Sequence, residues 1–150
     1  MANVDNAFGF EPITSNPSAR TVDAGGTFAQ GDALMFASGK LVIHDAGAAP
    51  VAGVAATAGS SGTTALMWSS ADTEFSCQAA GTFAVASHVS TTFDIAGATG
   101  VQEVDLSATT TNNCMVLSHH PVPGSEDVGA DAVVRIVFAE HAAASTPRAT

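Results

Sequence analysis

The stretch Phe93-Asp-Ile-Ala-Gly-Ala-Thr-Gly-Val-Gln-Glu-Val-Asp-Leu-Ser-Ala-Thr-Thr-Thr111 decides how the rest of the chain is read. Phe93 and Ile95 lie two apart and share one face of a strand, while Gly97 and Gly100 supply a permissive turn. Val104 and Leu106 then restart the alternation opposite Glu103 and Asp105. The unit is hairpin-like. It sits between two blocks of apolar alternation, one beginning at Phe28 and the other ending at Phe138, and is expected to link them. It holds no evident chemistry.

Before this unit, the alternation comes in short pieces. Phe28 leads to a turn at Gly31-Asp32, Leu34 and Phe36 share a face, and Ser38-Gly39 turns into Leu41 and Ile43. Val51, Gly53 and Ala55 alternate with Ala52, Val54 and Ala56 in a small-residue strand whose backbone can be approached closely. Leu66 and Trp68 alternate with Ala65 and Met67; Phe75 and Cys77 face away from Glu74, Ser76 and Gln78. Gly81 turns the chain into Phe83 and Val85.

After the unit, Cys114 to Leu117 is wholly apolar, as a strand buried on both faces would be. Ser118 to Ala130 gathers prolines, glycines and acids into a surface loop. Beyond it Val134, Ile136 and Phe138 form one face, with Arg135 between Val133 and Val137 on the other. A charge there implies that this face reaches solvent, a sheet edge or a partner. Turn signals every ~8 to 12 residues and about nine short strands predict an all-β domain, an antiparallel β-barrel or β-sandwich.

Residues 1–20 read differently. Phe8, Phe10, Pro12 and Pro17 stand among Asn, Ser and Thr without a sustained period, and the prolines favour an extended path. We expect an extended N-terminal arm over 1–20, a β-rich domain over 21–140 and a flexible Ala/Ser/Thr/Pro tail over 141–150. The two phenylalanines of the arm require burial, on the domain itself or on a neighbour. The opening residues lack the basic and apolar regions of a signal peptide, and no window reaches the ~18 to 20 apolar residues of a membrane helix.

Charged residues make up 12% of the chain and hydrophobic ones 46%. A typical charged fraction is ~25%, so the polar surface falls mainly to Ser, Thr, Asn and Gly. The net charge is −10, with Arg20, Lys40, Arg135 and Arg148 scattered singly. Phosphate backbones and anionic lipids repel such a surface, so neither nucleic acid nor a membrane is expected as a partner. In a reducing cytosol Cys77 and Cys114 read as buried thiols that behave as small hydrophobes.

The chemical inventory is thin. His119 and His120 are adjacent, and neighbours on a strand point to opposite faces, so they read as loop or partner-facing residues rather than a shared metal site. The acids Asp72 and Glu74, Glu103 and Asp105, and Glu126 and Asp127 form small groups. A glycosidase cleft usually adds aromatic platforms, and this chain has one Trp and no Tyr. No nucleophile elbow, phosphate-binding loop or dinucleotide fingerprint occurs. No enzyme, cofactor or metal is expected.

The opening Met1-Ala-Asn-Val-Asp-Asn-Ala-Phe-Gly-Phe-Glu-Pro12 resembles the start of many tailed-bacteriophage head proteins. Further on the chain is similar to the capsid decoration, or cement, proteins of that group. The likeness runs through Gly31-Asp32, Val51-Ala-Gly-Val54, Gly81-Thr-Phe83, Asp94 to Thr111, Met115-Val-Leu117 and Val133 to His141. Each piece is short; their order is the more specific feature. Where the family often has a Pro-Asp-Asp/Glu loop, this chain has Pro121-Val-Pro-Gly-Ser-Glu-Asp127.

The resemblance implies a virion protein, made in the host cytoplasm, that binds the outer surface of an assembled capsid. It would stabilise the shell by clamping adjacent major capsid protein subunits, as a homotrimer or a homodimer. Phe8, Phe10, Pro12 and Arg135 are the expected contacts with the capsid or a neighbouring subunit. Two other classes stay open on the residues alone: a carbohydrate-binding or host-adhesion β-sandwich, and a small β-hydrolase built on His119 or His120.

Overall fold

A computed structural model of the chain describes residues 3, 5–13, 17–44, 49–70, 73–121 and 128–139. The elements run in the order β1 (Glu11–Pro12), β2 (Ala19–Asp23), β3 (Ala33–Ala37), β4 (Lys40–Ile43), β5 (Gly53–Ala55), β6 (Thr64–Ser69), β7 (Phe75–Ala80) and β8 (Thr82–Phe83). One helical turn, α1 (Val85–His88), follows, then β9 (Thr92–Ala96), β10 (Glu103–Asp105), β11 (Cys114–His119), β12 (Gly129–Ala130) and β13 (Val133–Phe138). The fold is mainly β, as predicted.

The strands β7, β10, β9, β11 and β13 pair in that order, and β13 returns to pair with β7. The five form a closed ring, which leaves no open edge within it. Phe75, Cys77, Ile95, Val104, Val116 and Ile136 fill the interior together with Phe138. The pairings of the ring are antiparallel apart from β7 with β10, which is parallel, a departure from the purely antiparallel expectation. A crossover connection makes it possible, since β8, α1 and β9 intervene between the two strands.

The second sheet has the order β2-β6-β5-β3-β4 and is antiparallel throughout. It curls until Ala24, just past β2, bridges Leu41 of β4, with the Gly25 N–H donating to the Leu41 carbonyl at 2.8 Å. Phe28, Leu34, Leu41, Ala55 and Met67 pack inside the curl. Alternation divides neighbouring residues between two cores: Ala33 and Val54 join the ring's core, Leu34 and Ala55 that of the second sheet. β5 is therefore buried on both faces, and small residues are needed there. A Cβ on Gly53 would collide with the Trp68 carbonyl oxygen and lie 2.7 Å from Met67 Cγ.

The hairpin that opens the sequence reading is present. Glu103, Val104 and Asp105 pair with Ala96, Ile95 and Asp94. Its turn uses Gly97 at φ 96° and Gly100 at φ 83°, conformations that an L side chain rarely adopts. The same turn clasps the second sheet: the Gly100 N–H donates to Asp32 Oδ1 at 2.7 Å. Gln102, fully buried, accepts from the Ala33 N–H and donates to the His44 carbonyl, both at 2.7 Å.

Several expectations are corrected. Thirteen strands occur among the described residues where about nine were expected, because two-residue pairings such as β8 with β12 carry little sequence signal. Cys114 and Val116 are buried, whereas Met115 and Leu117 are only partly so, hence β11 has one core face rather than two. Val85 does not continue the strand of Phe83; it opens α1 and is exposed. Ser76 and Gln78, on the face of β7 opposite Phe75 and Cys77, are buried as well. The arm over 1–20 belongs to the body across its described residues: β1 pairs with β7, and β2 already begins at Ala19. The expected tail over 141–150 and most of the acidic loop, including Glu126 and Asp127, lie outside the described residues.

Candidate functional site

Of the four expected contact residues, Phe10, Pro12 and Arg135 lie at β7 and β13 and Phe8 lies beside Gly31 and Trp68, and they play different parts. Phe10 is fully buried in the ring's core. Its ring meets Phe138 edge-on at 5.3 Å between centroids, and Phe138 in turn meets Phe75 at 5.4 Å. The Phe10 N–H donates to the Gly31 carbonyl at 2.8 Å, so the backbone of this segment is tied to the second sheet as well. Phe10 is corrected from a partner contact to a core residue, because this chain already supplies its acceptor pocket.

Pro12 pairs with Phe75 in β1, a position that asks little of a residue without an N–H. Arg135 sits in a row across the sheet, Glu11–Ser76–Arg135–Ser118, on the outward side of the ring. Its Nη2 donates to Glu74 Oε1 at 2.6 Å, and both side chains are more than a third exposed. At that exposure the pair contributes about 0.2 to 1 kcal/mol. Arg135 thus keeps to the surface expected of it.

Phe8 is partly buried and lines a groove of about 160 Å³ with Phe10, Glu11, Gln30, Gly31 and Trp68. Ligand pockets usually enclose roughly 300 to 1,000 Å³, so this groove has room for one side chain or one ring.

A second surface lies on the β8–β12 ribbon. Gly129 pairs with Phe83 and Ala130 with Thr82, which brings Val128 alongside Ala84 and the start of α1. Ala84, Val85, Ala86, Val128 and Ala130 are all exposed and uncharged. Neither the alternation nor the turn signals pointed to this surface, since the ribbon strands are two residues long.

The remaining polar candidates are taken up by the fold. Asp94, nearly buried, accepts from the N–H groups of Thr110 at 3.2 Å, Thr111 at 2.7 Å and Asn112 at 2.8 Å. Burial pushes its carboxyl up, but those N–H bonds and the Thr111 hydroxyl outweigh it and hold the carboxyl below its ordinary value. The threonine run is thus a loop wrapped on one carboxylate. His88 accepts from the Ala84 N–H at 3.0 Å and stacks on Phe83, and His119 ends β11 opposite Val134. Cys77 and Cys114 are both buried free thiols of the ring core. Burial pushes Cys77 up to about 12, and burial, then Cys77 and Asp94, push Cys114 up.

Among the described residues no group of three His, Cys, Asp or Glu side chains is arranged to hold a metal ion, and no helix is long and apolar enough to cross a membrane. Asp32 and Gln102 were missed as key residues: Gly31-Asp32 reads as a turn, and a buried amide leaves no trace in apolar periodicity. No protein-family model matches the chain, and no curated protein matches it.

Proposed function

We propose that this chain is a head decoration protein of a tailed bacteriophage, which binds the outside of the assembled capsid and clamps adjacent major capsid protein subunits. The observation that carries the reading is the ordered resemblance along the chain. In the fold those same segments do the joining: Phe10 to Gly31, Asp32 to Gly100, Gly53 beneath Trp68, and Asp94 inside the Thr110–Asn112 loop.

The exposed, uncharged surface around Val85 and Val128 supports the same reading. A chain of net charge −10 meets a protein partner most readily through a neutral patch, where no charge has to be desolvated. Self-association as a trimer or dimer would add avidity to weak single contacts. The test is sedimentation of the purified protein with expanded, undecorated heads from the same phage. Saturable co-sedimentation is expected; protein left wholly in the supernatant overturns the proposal.

The groove between Phe8 and Trp68 favours a second reading, recognition of a sugar ring by an aromatic face flanked by Glu11 and Gln30. Trp68 is the only tryptophan, so its fluorescence reports occupancy directly. A saturable change on titration with a glycan panel would support this reading over the first, and an unchanged spectrum would remove it.

A further inference from the structure

Gln78 of β7 is 1% exposed, and its side chain is one point where the N-terminal segment meets the ring. Its carbonyl oxygen accepts from the Asn6 N–H at 2.8 Å. Its amide nitrogen faces three carboxylates from three separate parts of the chain: Asp5 Oδ1 at 2.8 Å, Glu103 Oε2 at 2.9 Å and Asp131 Oδ1 at 3.4 Å. An amide nitrogen carries two hydrogens. Two donors cannot satisfy three anionic acceptors, and like charges this close disfavour one another's ionised forms.

Among the described residues no cation offsets them. Arg135 is engaged with Glu74, while Arg20 and Lys40 lie on β2 and β4 of the other sheet. The groups that face Glu103 are Asp5 from the N-terminal segment, Asp131 from the turn between β12 and β13, and Asp105 from its own strand. The Gln78 hydrogen bond opposes their effect.

We propose that this cluster is a proton-operated latch: docking of the stretch around Asp5 and Asn6, ahead of the anchored Phe10, takes up a proton at Glu103, so the stretch is held in acid and loosened as the pH rises. Supplying Asp5 is what the segment does to the cluster, so release of the segment removes one of the three charges. Asn3 marks the reach of the same segment, donating to the Val128 and Ala130 carbonyls at 3.2 and 2.9 Å.

The sign follows from the carboxyl of Glu103. Burial first, then the charges of Asp5, Asp131 and Asp105, raise it above its ordinary value when the segment is docked. A docked state that binds the proton more tightly than the released one gains stability as the pH falls. The gain is complete below the ordinary glutamate value and is lost as the pH rises through the raised one.

The test is amide hydrogen exchange at Asn6 in the full chain, expressed as protection over the intrinsic rate, from about pH 4, below the ordinary glutamate value, to about pH 8. Wild-type protection is expected to fall severalfold across that range as the raised carboxyl ionises. Glu103→Gln should keep high protection at both ends and flatten the profile. Asp5→Asn, made in an exposed part of the segment, should flatten it in part whatever Glu103→Gln does to folding. Wild-type protection that is constant with pH, or variant profiles parallel to the wild type, overturns the proposal.

Discussion

Phe10 and Phe138, separated by almost the whole chain, meet edge-on inside one core with their ring centroids 5.3 Å apart. The contact makes the N-terminal segment a structural part of the ring. Phe10→Ala would leave a cavity beside Phe75 and Phe138, and substitutions of that kind cost about 3 to 5 kcal/mol. Denaturant unfolding should register that loss, and removal of residues 1–12 should destabilise at least as much. A truncated chain as stable as the whole would place Phe10 outside the core.

Asp94 predicts a pH signature of its own. Asp94→Asn deprives the Thr110–Asn112 loop of its anionic acceptor and should cost about 1 to 2 kcal/mol near neutral pH. The native carboxyl is held below its ordinary value, so its contribution is present above the unfolded value of about 3.9 and disappears as the pH falls through the folded one. The stability gap between wild type and variant should therefore close in acid. A gap that persists at the acid end would mean that the hydrogen bonds of the ionised carboxylate are not its source.

The two thiols should be inert in the native state. With Cys77 at about 12 and Cys114 also raised, little thiolate exists near neutral pH, and both side chains are buried. Labelling by an alkylating reagent should follow global unfolding and quicken with denaturant. Fast labelling of the folded protein would contradict their place in the core.

Val85→Asp and Val128→Asp place charge on the neutral ribbon surface. Both positions are exposed, at 53% and 44%, so stability should change by no more than about 0.5 kcal/mol. Sedimentation with heads should weaken by tenfold or more if this surface meets the capsid, since a charge buried at an interface is strongly disfavoured. Undiminished binding by both variants would move the contact elsewhere on the body.

What the sequence reveals depends on whether the signal is periodic. The alternation of Val134, Ile136 and Phe138 around Arg135, and the glycine turn of the 93–106 hairpin, are visible because local chemistry dictates them. The closing of β13 onto β7 is not, since any two amphipathic strands pair equally well on paper. The burial of Gln78 is not legible either, because its cover, the segment around Asn6, is distant in sequence. Asp32 reads as a turn residue and Gln102 carries no signal for the same reason: their partners, Gly100 and Ala33, are supplied by the fold. Phe8 and Phe10 signal a need for burial without saying where; for Phe10 the place is its own core, against Phe138.

The capsid itself provides the most direct measurement. A protein that binds only the assembled shell stabilises it by mass action, by about 2.7 kcal/mol per site at a hundredfold excess over Kd. Calorimetry of expanded, undecorated heads of the same phage, with and without saturating protein, reads that effect as a shift in the temperature of shell disruption. The account predicts a rise that saturates with added protein. An unchanged disruption temperature at saturation would contradict it.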